Sequence, residues 1–320
     1  MTEANGAELL AIAVAAAREA GELLASREGR VLVAATKSSP TDVVTEMDRR
    51  AEDLIRERIL AARPGDAILG EEGGQIGDTA SGGGVRWVID PLDGTVNYLY
   101  GLHDWAVSIA AEAEWVQGGV EGGEVGRRIV AGAVFVPMRG ELFTAVRGGG
   151  AWLVASRWKG EDIGPAVSRG GDPPYPPGQA RWKGEDIGPA GTTRVRLRCR
   201  PGVPLEAALV GTGFGYLAAR RKVQGEVVAA LLPRVRDIRR GGSASVDLCS
   251  LAAGRLDGYY ERGLNYWDYA AGALIAVEAG AVVGDSRGGP PSTSMTVAAG
   301  PGLFGPLTLA LSGLDAERDG

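Results

Sequence analysis

The sequence predicts an α+β half followed by an α/β half, and three observations carry this. Two segments with helical spacing open the chain, at residues 7–28 and from Thr45 to about Ala62. Apolar strands with short, antiparallel-looking connections follow, between Ala67 and Val146. From Ala208 onward strands and helices alternate, the order that lays helices on the faces of a sheet.

Residues 7–28 are Ala-rich and carry Leu9, Leu10, Ile12, Leu23 and Leu24, the composition of a long helix. Residues 31–44 read as a turn-rich loop around Lys37-Ser38-Ser39-Pro40-Thr41-Asp42. Thr45 stands three residues before Asp48, a capping box with Asp in place of the usual Glu. The helix it opens puts Ala51, Leu54, Ile55 and Ile59 on one face and ends at Pro64-Gly65. Ala67-Ile68-Leu69 is a short strand running into Gly70-Glu71-Glu72.

The apolar run Val85–Ile89 predicts a buried strand that delivers two carboxylates, Asp90 and Asp93, at its end. Pro91 has no N–H to donate and is expected to stop the strand. Gly94-Thr95 then reads as a helix start, whose free N–H groups suit an anion. A strand from Trp105 to Ala111, a Gly-rich hairpin tip over 114–128, and strands Ile129–Val136 and Glu141–Val146 joined at Pro137 follow.

Residues 155–193 break the pattern. Arg157-Trp158-Lys159-Gly160-Glu161-Asp162-Ile163-Gly164-Pro165-Ala166 recurs letter for letter at Arg181–Ala190, around a Pro-rich centre. Two copies are too few for a solenoid, so the segment is expected to be a mobile surface insertion, with partner docking or a lid as the alternative. Arg194–Arg200 alternates strictly and predicts a strand with an arginine face, either solvated and edge-protecting or an anion patch.

In the last third, Ala208–Val210 leads into Gly211-Thr212-Gly213-Phe214-Gly215, and Glu226–Leu232 has helical character. Gly241-Gly242-Ser243 precedes a helix from Ala244 to Ala253 with Gly254 closing it. A strand Leu256–Tyr260 ends in Glu261. Trp267-Asp268 opens a helix Tyr269–Ala279, and Ala281–Val283 and Met295–Ala298 read as final strands. The chain thus divides into a 1–154 half with most candidate ligands, the 155–193 insertion, and a 194–320 half.

Bulk properties narrow the function. A net charge of −6 argues against a general nucleic-acid binder. Two cysteines, Cys199 and Cys249, cannot form a disulfide framework, and no stretch has the make-up of a signal peptide or membrane span, so a cytoplasmic protein is expected. The single histidine, His103, follows a glycine in a loop and is expected to be structural or surface. The chemistry therefore falls to carboxylates. Glu71, Asp90, Asp93 and Asp268 each stand where a strand or loop gives way to an open end. Alone, each reads as a turn or cap acid; two acids beside an anion-binding turn make sense when cations sit between them and a phosphate. Gly211-x-Gly213-x-Gly215 fits neither the dinucleotide fingerprint nor a P-loop.

The strings GEE, DPLDGTVNY and NYWDYAAGALIAVEAGA together resemble the inositol monophosphatase family of magnesium-dependent, lithium-sensitive sugar phosphatases, over nearly the whole chain except the insertion. The resemblance implies a layered α-β-α-β-α sandwich with an antiparallel sheet in the first half and a mixed sheet with helices in the second. It implies two or three Mg2+ ions held by Glu71, Asp90, the Leu92 carbonyl, Asp93 and Asp268. Asp48 and Thr95, helped by Glu71, would orient and deprotonate the attacking water. Phosphate and substrate contacts fall on Gly94, Thr95, Gly242, Ser243, Ala244 and Glu261, and Lys37 matches a loop folded over the metals. The implied reaction is hydrolysis of inositol-1-phosphate, with histidinol phosphate or fructose 1,6-bisphosphate as alternative substrates and a non-catalytic regulatory binder as the rival class. The implied partners are a small phosphorylated polyol and a second copy of the chain in a homodimer, with neither nucleic acid nor membrane.

Overall fold

The computed structural model describes residues 3–26, 33–36, 43–77, 84–116, 125–156, 186–187 and 192–319. Lys37 and most of the duplicated segment, 157–185 and 188–191, lie outside them. In chain order the first elements are α1 (Glu3–Ala25), β1 (Val33–Thr36), β2 (Val43–Thr45), α2 (Glu46–Ala62), β3 (Ala67–Gly70), β4 (Gly74–Ile76), β5 (Val85–Asp93) and α3 (Thr95–Leu99). Then come β6 (Ala106–Val116), β7 (Val125–Val136), β8 (Glu141–Val146), β9 (Gly150–Ser156), β10 (Asp186–Ile187) and β11 (Thr192–Arg196). The last are β12 (Leu209–Thr212), α4 (Ala218–Leu231), β13 (Asp237–Arg239), α5 (Ala244–Ala252), β14 (Gly258–Glu261), α6 (Tyr266–Glu278), β15 (Val282–Gly284), β16 (Thr296–Ala299) and α7 (Pro301–Gly313).

The larger sheet runs β10-β11-β9-β8-β7-β6-β5-β3-β4. All its pairs are antiparallel except β3 with β5, which is parallel. The smaller sheet runs β13-β12-β14-β16-β15 and is mixed: β12 is parallel to both neighbours, and β14-β16-β15 is antiparallel.

Alternation along the strands of the larger sheet splits its side chains between two cores. Trp87, Ile89, Val107, Ile109 and Ala133 pack on one face against Leu9, Ala13, Ile55 and Ile59 of α1 and α2. Val88, Ala110, Val134 and Val136 face the other way, onto Val246, Cys249, Ala271, Leu274 and Ile275 of α5 and α6. The far sides of these helices, through Leu248, Leu251 and Ala276, bury against Tyr259 and Ala298 of the smaller sheet. Its outer face is covered by Val223, Val227, Leu303 and Leu307 of α4 and α7. The result is the α-β-α-β-α stack. The middle helices are covered on two sides, which is why every residue of α5 is buried, Ser245, Asp247 and Ser250 included.

Close approach fixes that middle layer. A Cβ on Gly132 of β7 would lie 3.2 Å from the Cα of Ala271, and one on Gly272 would lie 2.9 Å from the Cβ of Leu248 and 3.4 Å from the Cα of Ser245. A methyl at 272 would have to displace Leu248, and one at 132 would press on the backbone of α6.

Several expectations need correcting. Pro91 does not stop its strand: β5 continues to Asp93. Instead the ladder slips. Asp90 pairs with Ser108 and Asp93 with Ala106, so three steps on β5 match two on β6. Pro91 falls in this bulge, where its missing N–H costs the ladder nothing, and the extra residue re-aims the two aspartates. The 31–44 segment is not wholly a loop, since β1 and β2 pair within it. α4 begins eight residues before the expected Glu226. β4, β9 and α7 were not expected; α7 carries Pro306 and three glycines and forms because Leu303, Leu307, Ala310 and Leu311 are buried. The arginine strand ends at Arg196 rather than Arg200, and Arg194 stacks 3.9 Å over the Trp152 ring, with Arg196 at 5.8 Å. Among the described residues no helix is long and apolar enough to cross a membrane.

Candidate functional site

The site gathers where β3, β5, α3, α5, β14 and α6 present their ends. Thr45 caps α2 as expected: its backbone N–H donates to Asp48 Oδ2 at 2.9 Å and its hydroxyl bonds to the same oxygen. The cap leaves Asp48 Oδ1 to accept from the Thr95 hydroxyl at 3.2 Å. The Leu92 carbonyl lies 3.2 Å from that same hydroxyl, which has one proton to give. With the proton on Asp48, the Leu92 oxygen is left as an acceptor facing the site.

Glu71 is placed by Glu52, which lies outside the motifs described above. Glu52, buried on α2 one turn after Asp48, accepts from the backbone N–H of Glu72 at 2.8 Å and of Gly73 at 2.7 Å. Arg56 balances its charge at 2.7 Å. Two acids at i and i+4 on an otherwise apolar helix face were the signal that could have found it.

Asp93 reaches across to the other half of the fold. Its Oδ2 accepts from the hydroxyls of Ser243 and Ser245, each at 2.6 Å, and from the Ser245 backbone N–H at 2.7 Å. Ser243 is the N-cap of α5, with its Oγ 3.3 Å from the Val246 nitrogen, so a strand carboxylate sits in the anion site at the start of a helix from the second half. The turns around it require glycine. Gly94 has φ +94°, and a Cβ there would meet Asp104 O at 3.0 Å and Gly242 O at 3.3 Å. Gly242 itself has φ +96°. Asn97 ties the two turns, donating to Asp104 O at 2.6 Å and Gly241 O at 2.9 Å. Ser245 and Asn97 were not singled out from the sequence, because a hydroxyl or amide used only to hold a neighbour has no pattern of its own.

Asp268 closes the capping box of α6, accepting from the Asn265 N–H at 2.7 Å. It shares the field of the other acids despite its distance along the chain. Burial raises Asp90 well above the usual carboxylate range, and Glu71, Asp93 and Asp268 push it further. Burial, then Glu71 and Asp93, raise Asp268 likewise. Burial also raises Asp93, against the bonds from Ser243 and Ser245 that favour its charge. Glu261, at the end of β14, accepts from Tyr259 Oη at 2.6 Å and is pushed up to about 7, mainly by burial, with Asp93 adding to the shift. Asp247, unnoticed in the sequence, is buried close by and is raised by burial, Glu261 and Asp93. His103 is exposed.

Among the described residues no three His, Cys, Asp or Glu side chains stand ready-made as a metal cage. Asp93 is drawn toward Ser243 and Ser245, and Asp268 toward Asn265. The donor set nonetheless fits a hard divalent cation. Every donor is oxygen, and Glu71, Asp90, Asp93 and Asp268 repel one another in a buried place where only protons or cations relieve them.

The family model described as the inositol monophosphatase family matches residues 5–312. The inositol-1-monophosphatase of Mycobacterium leprae is 41% identical over 279 residues, covering 86% of this chain and 80% of that protein. The Nus factor SuhB of Escherichia coli is 37% identical over 283 residues, covering 88% and 86%. The solved structure of Mycobacterium tuberculosis SuhB superposes with a TM-score of 0.69 at 38% identity, covering 98% of each chain. With the layered fold, the acids gathered at its strand ends and these relatives in agreement, the chain belongs to the inositol monophosphatase family.

Proposed function

We propose that the chain hydrolyses inositol-1-phosphate to inositol and phosphate with Mg2+ as cofactor. The observation that carries this is the gathering of Glu71, Asp90, Asp93 and Asp268 from three separated elements into one buried, mutually repelling set beside the Thr95–Asp48 pair. Glu71, Asp90, Asp93, Asp268 and the Leu92 carbonyl would hold the ions. When bound, Mg2+ acidifies water and neutralises charge on a transferring phosphoryl group.

The chain's own groups do the rest. Thr95 Oγ accepts the proton of an attacking water as it passes its own to Asp48 Oδ1, and Asp48 is held for this by the Thr45 cap. The Gly94 turn and the start of α3 offer backbone N–H groups to the phosphate. Glu261, partly protonated near neutral pH, can both accept from and donate to substrate hydroxyls. Ser243 and Ala244 stand at the start of α5 beside Asp93, and a homodimer is the assembly we expect.

Phosphate release from inositol-1-phosphate, histidinol phosphate and fructose 1,6-bisphosphate, with Mg2+ and with EDTA, tests the reading. Chelator-sensitive release with inositol-1-phosphate preferred is the expected result; release indifferent to EDTA, or none at all, ends it. The second reading, a binding protein without catalysis, draws on the Nus factor name of the Escherichia coli relative, and absence of turnover would favour it.

A further inference from the structure

Glu112 is a carboxylate the chemistry above does not use, and it is almost fully buried. It lies on β6, on the face turned toward α6 that Ala106 and Ala110 share, where an apolar residue would ordinarily serve. The charge is balanced on one oxygen: Oε2 receives Arg86 Nε at 2.8 Å and Arg127 Nε at 3.2 Å. The other oxygen is aimed across the layer, where Oε1 accepts from Tyr266 Oη at 2.7 Å. Arg86 also sits 5.9 Å from the centre of the Tyr266 ring, and Tyr269 meets that ring edge-on at 5.5 Å.

Tyr266 is the first residue of α6, and Asp268 is the third. The N–H groups of a helix's first turn lack partners within the helix, and here the Asn265–Asp268 capping box is their anchor at the cap. Holding the Tyr266 ring adds a second restraint on the rotation of that turn, beside the bond from the Asn265 N–H to Asp268 Oδ2, and so on the direction of Asp268. We infer that the Glu112–Tyr266 hydrogen bond, with Arg86 and Arg127 behind it, is a positioning device that aims Asp268 at the other three acids. This rests on the reading of Asp268 as an ion-holding residue.

Tyr266→Phe removes one oxygen and keeps the ring packing. In the full-length protein, Mg2+ binding by calorimetry without substrate should weaken about tenfold, as expected for a group that orients a ligand. The Mg2+ concentration giving half-maximal phosphate release should rise in step, and the rate at saturating Mg2+ should stay within about twofold. Glu112→Gln keeps an acceptor for the phenol and should bind Mg2+ more tightly than Tyr266→Phe. If Tyr266→Phe binds Mg2+ as the parent does and only melts earlier, the bond is structural and the inference falls. A parent protein that binds no Mg2+ overturns the proposed function, and this inference with it.

Discussion

Asp93→Asn offers a test in which stability and activity should part. Asp93 Oδ2 accepts three hydrogen bonds, from the Ser243 and Ser245 hydroxyls and the Ser245 N–H. The amide oxygen can occupy the same place and keep all three, with its NH2 turned toward the acids. What is lost is the charge-assisted part, about 1 kcal/mol per bond, or about 3 kcal/mol for the three. Against this, one negative charge disappears from beside Asp268, Asp247 and Asp90, each of which Asp93 pushes upward. The two effects oppose, so the metal-free variant should melt within a few degrees of the parent. Activity has no such compensation. A parent in Mg2+ at a hundred times its dissociation constant gains about 2.7 kcal/mol of stability. The variant should lose most of that gain, and turnover should fall by about 10²- to 10³-fold, as for removal of one preorganised charge-stabilising group. Thermal melts with Mg2+ and with EDTA, beside phosphate release from inositol-1-phosphate, read both quantities. Undiminished Mg2+-dependent turnover in Asp93→Asn would refute the reasoning.

The other expectations concern the groups around it. Glu52→Gln should lower Mg2+-supported turnover about tenfold, because the Glu71 turn loses its charged anchor, and should destabilise the fold by about 2 kcal/mol as Arg56 loses its partner; steady-state assays and urea melts check the two. Thr95→Ala should cut kcat by about 10²-fold while leaving calorimetric Mg2+ binding within a factor of about three. The folded pKa of Glu261, about 7, lies above its ordinary 4.5, so the folded state holds the extra proton between those values. Stability of the metal-free protein should therefore fall as pH rises from about 5 through 7, and Glu261→Gln should flatten that slope in melts run across the range. His103→Ala should change the pH–rate profile not at all, which a profile from pH 5 to 9 would show.

The fold was legible where period and punctuation agree. Thr45 and Asp48 marked a helix start, and strand-length apolar runs marked β3, β5, β7 and β8. The layered arrangement came from the order of elements and the family resemblance together. Legibility failed where tertiary burial overrides local chemistry. Pro306 and the glycines of α7 give no local helix signal, and the helix forms because Leu303 and Leu307 are covered by the smaller sheet. Pro91 read as a stop because a bulge has no sequence period. At the site, the acids stood out because carboxylates at strand ends are unusual company for apolar runs. Their supports did not: Glu52, Ser245 and Glu112 act through neighbours 20, 152 and 154 residues away. No spacing rule reaches that far.

The tight seating of α6 between Gly132 and Leu248 has a consequence for how this protein tolerates drift. A single methyl at position 272 touches no reacting atom and alters no charge. Yet it would press on Leu248 and on the backbone of Ser245 from one side while displacing the helix that bears Asp268 on the other. Two carboxylates in different layers would lose aim from one silent-looking change. Bare α-carbons against the middle storey are therefore fragile addresses, and a survey of damaging variants should find them as readily as it finds the acids.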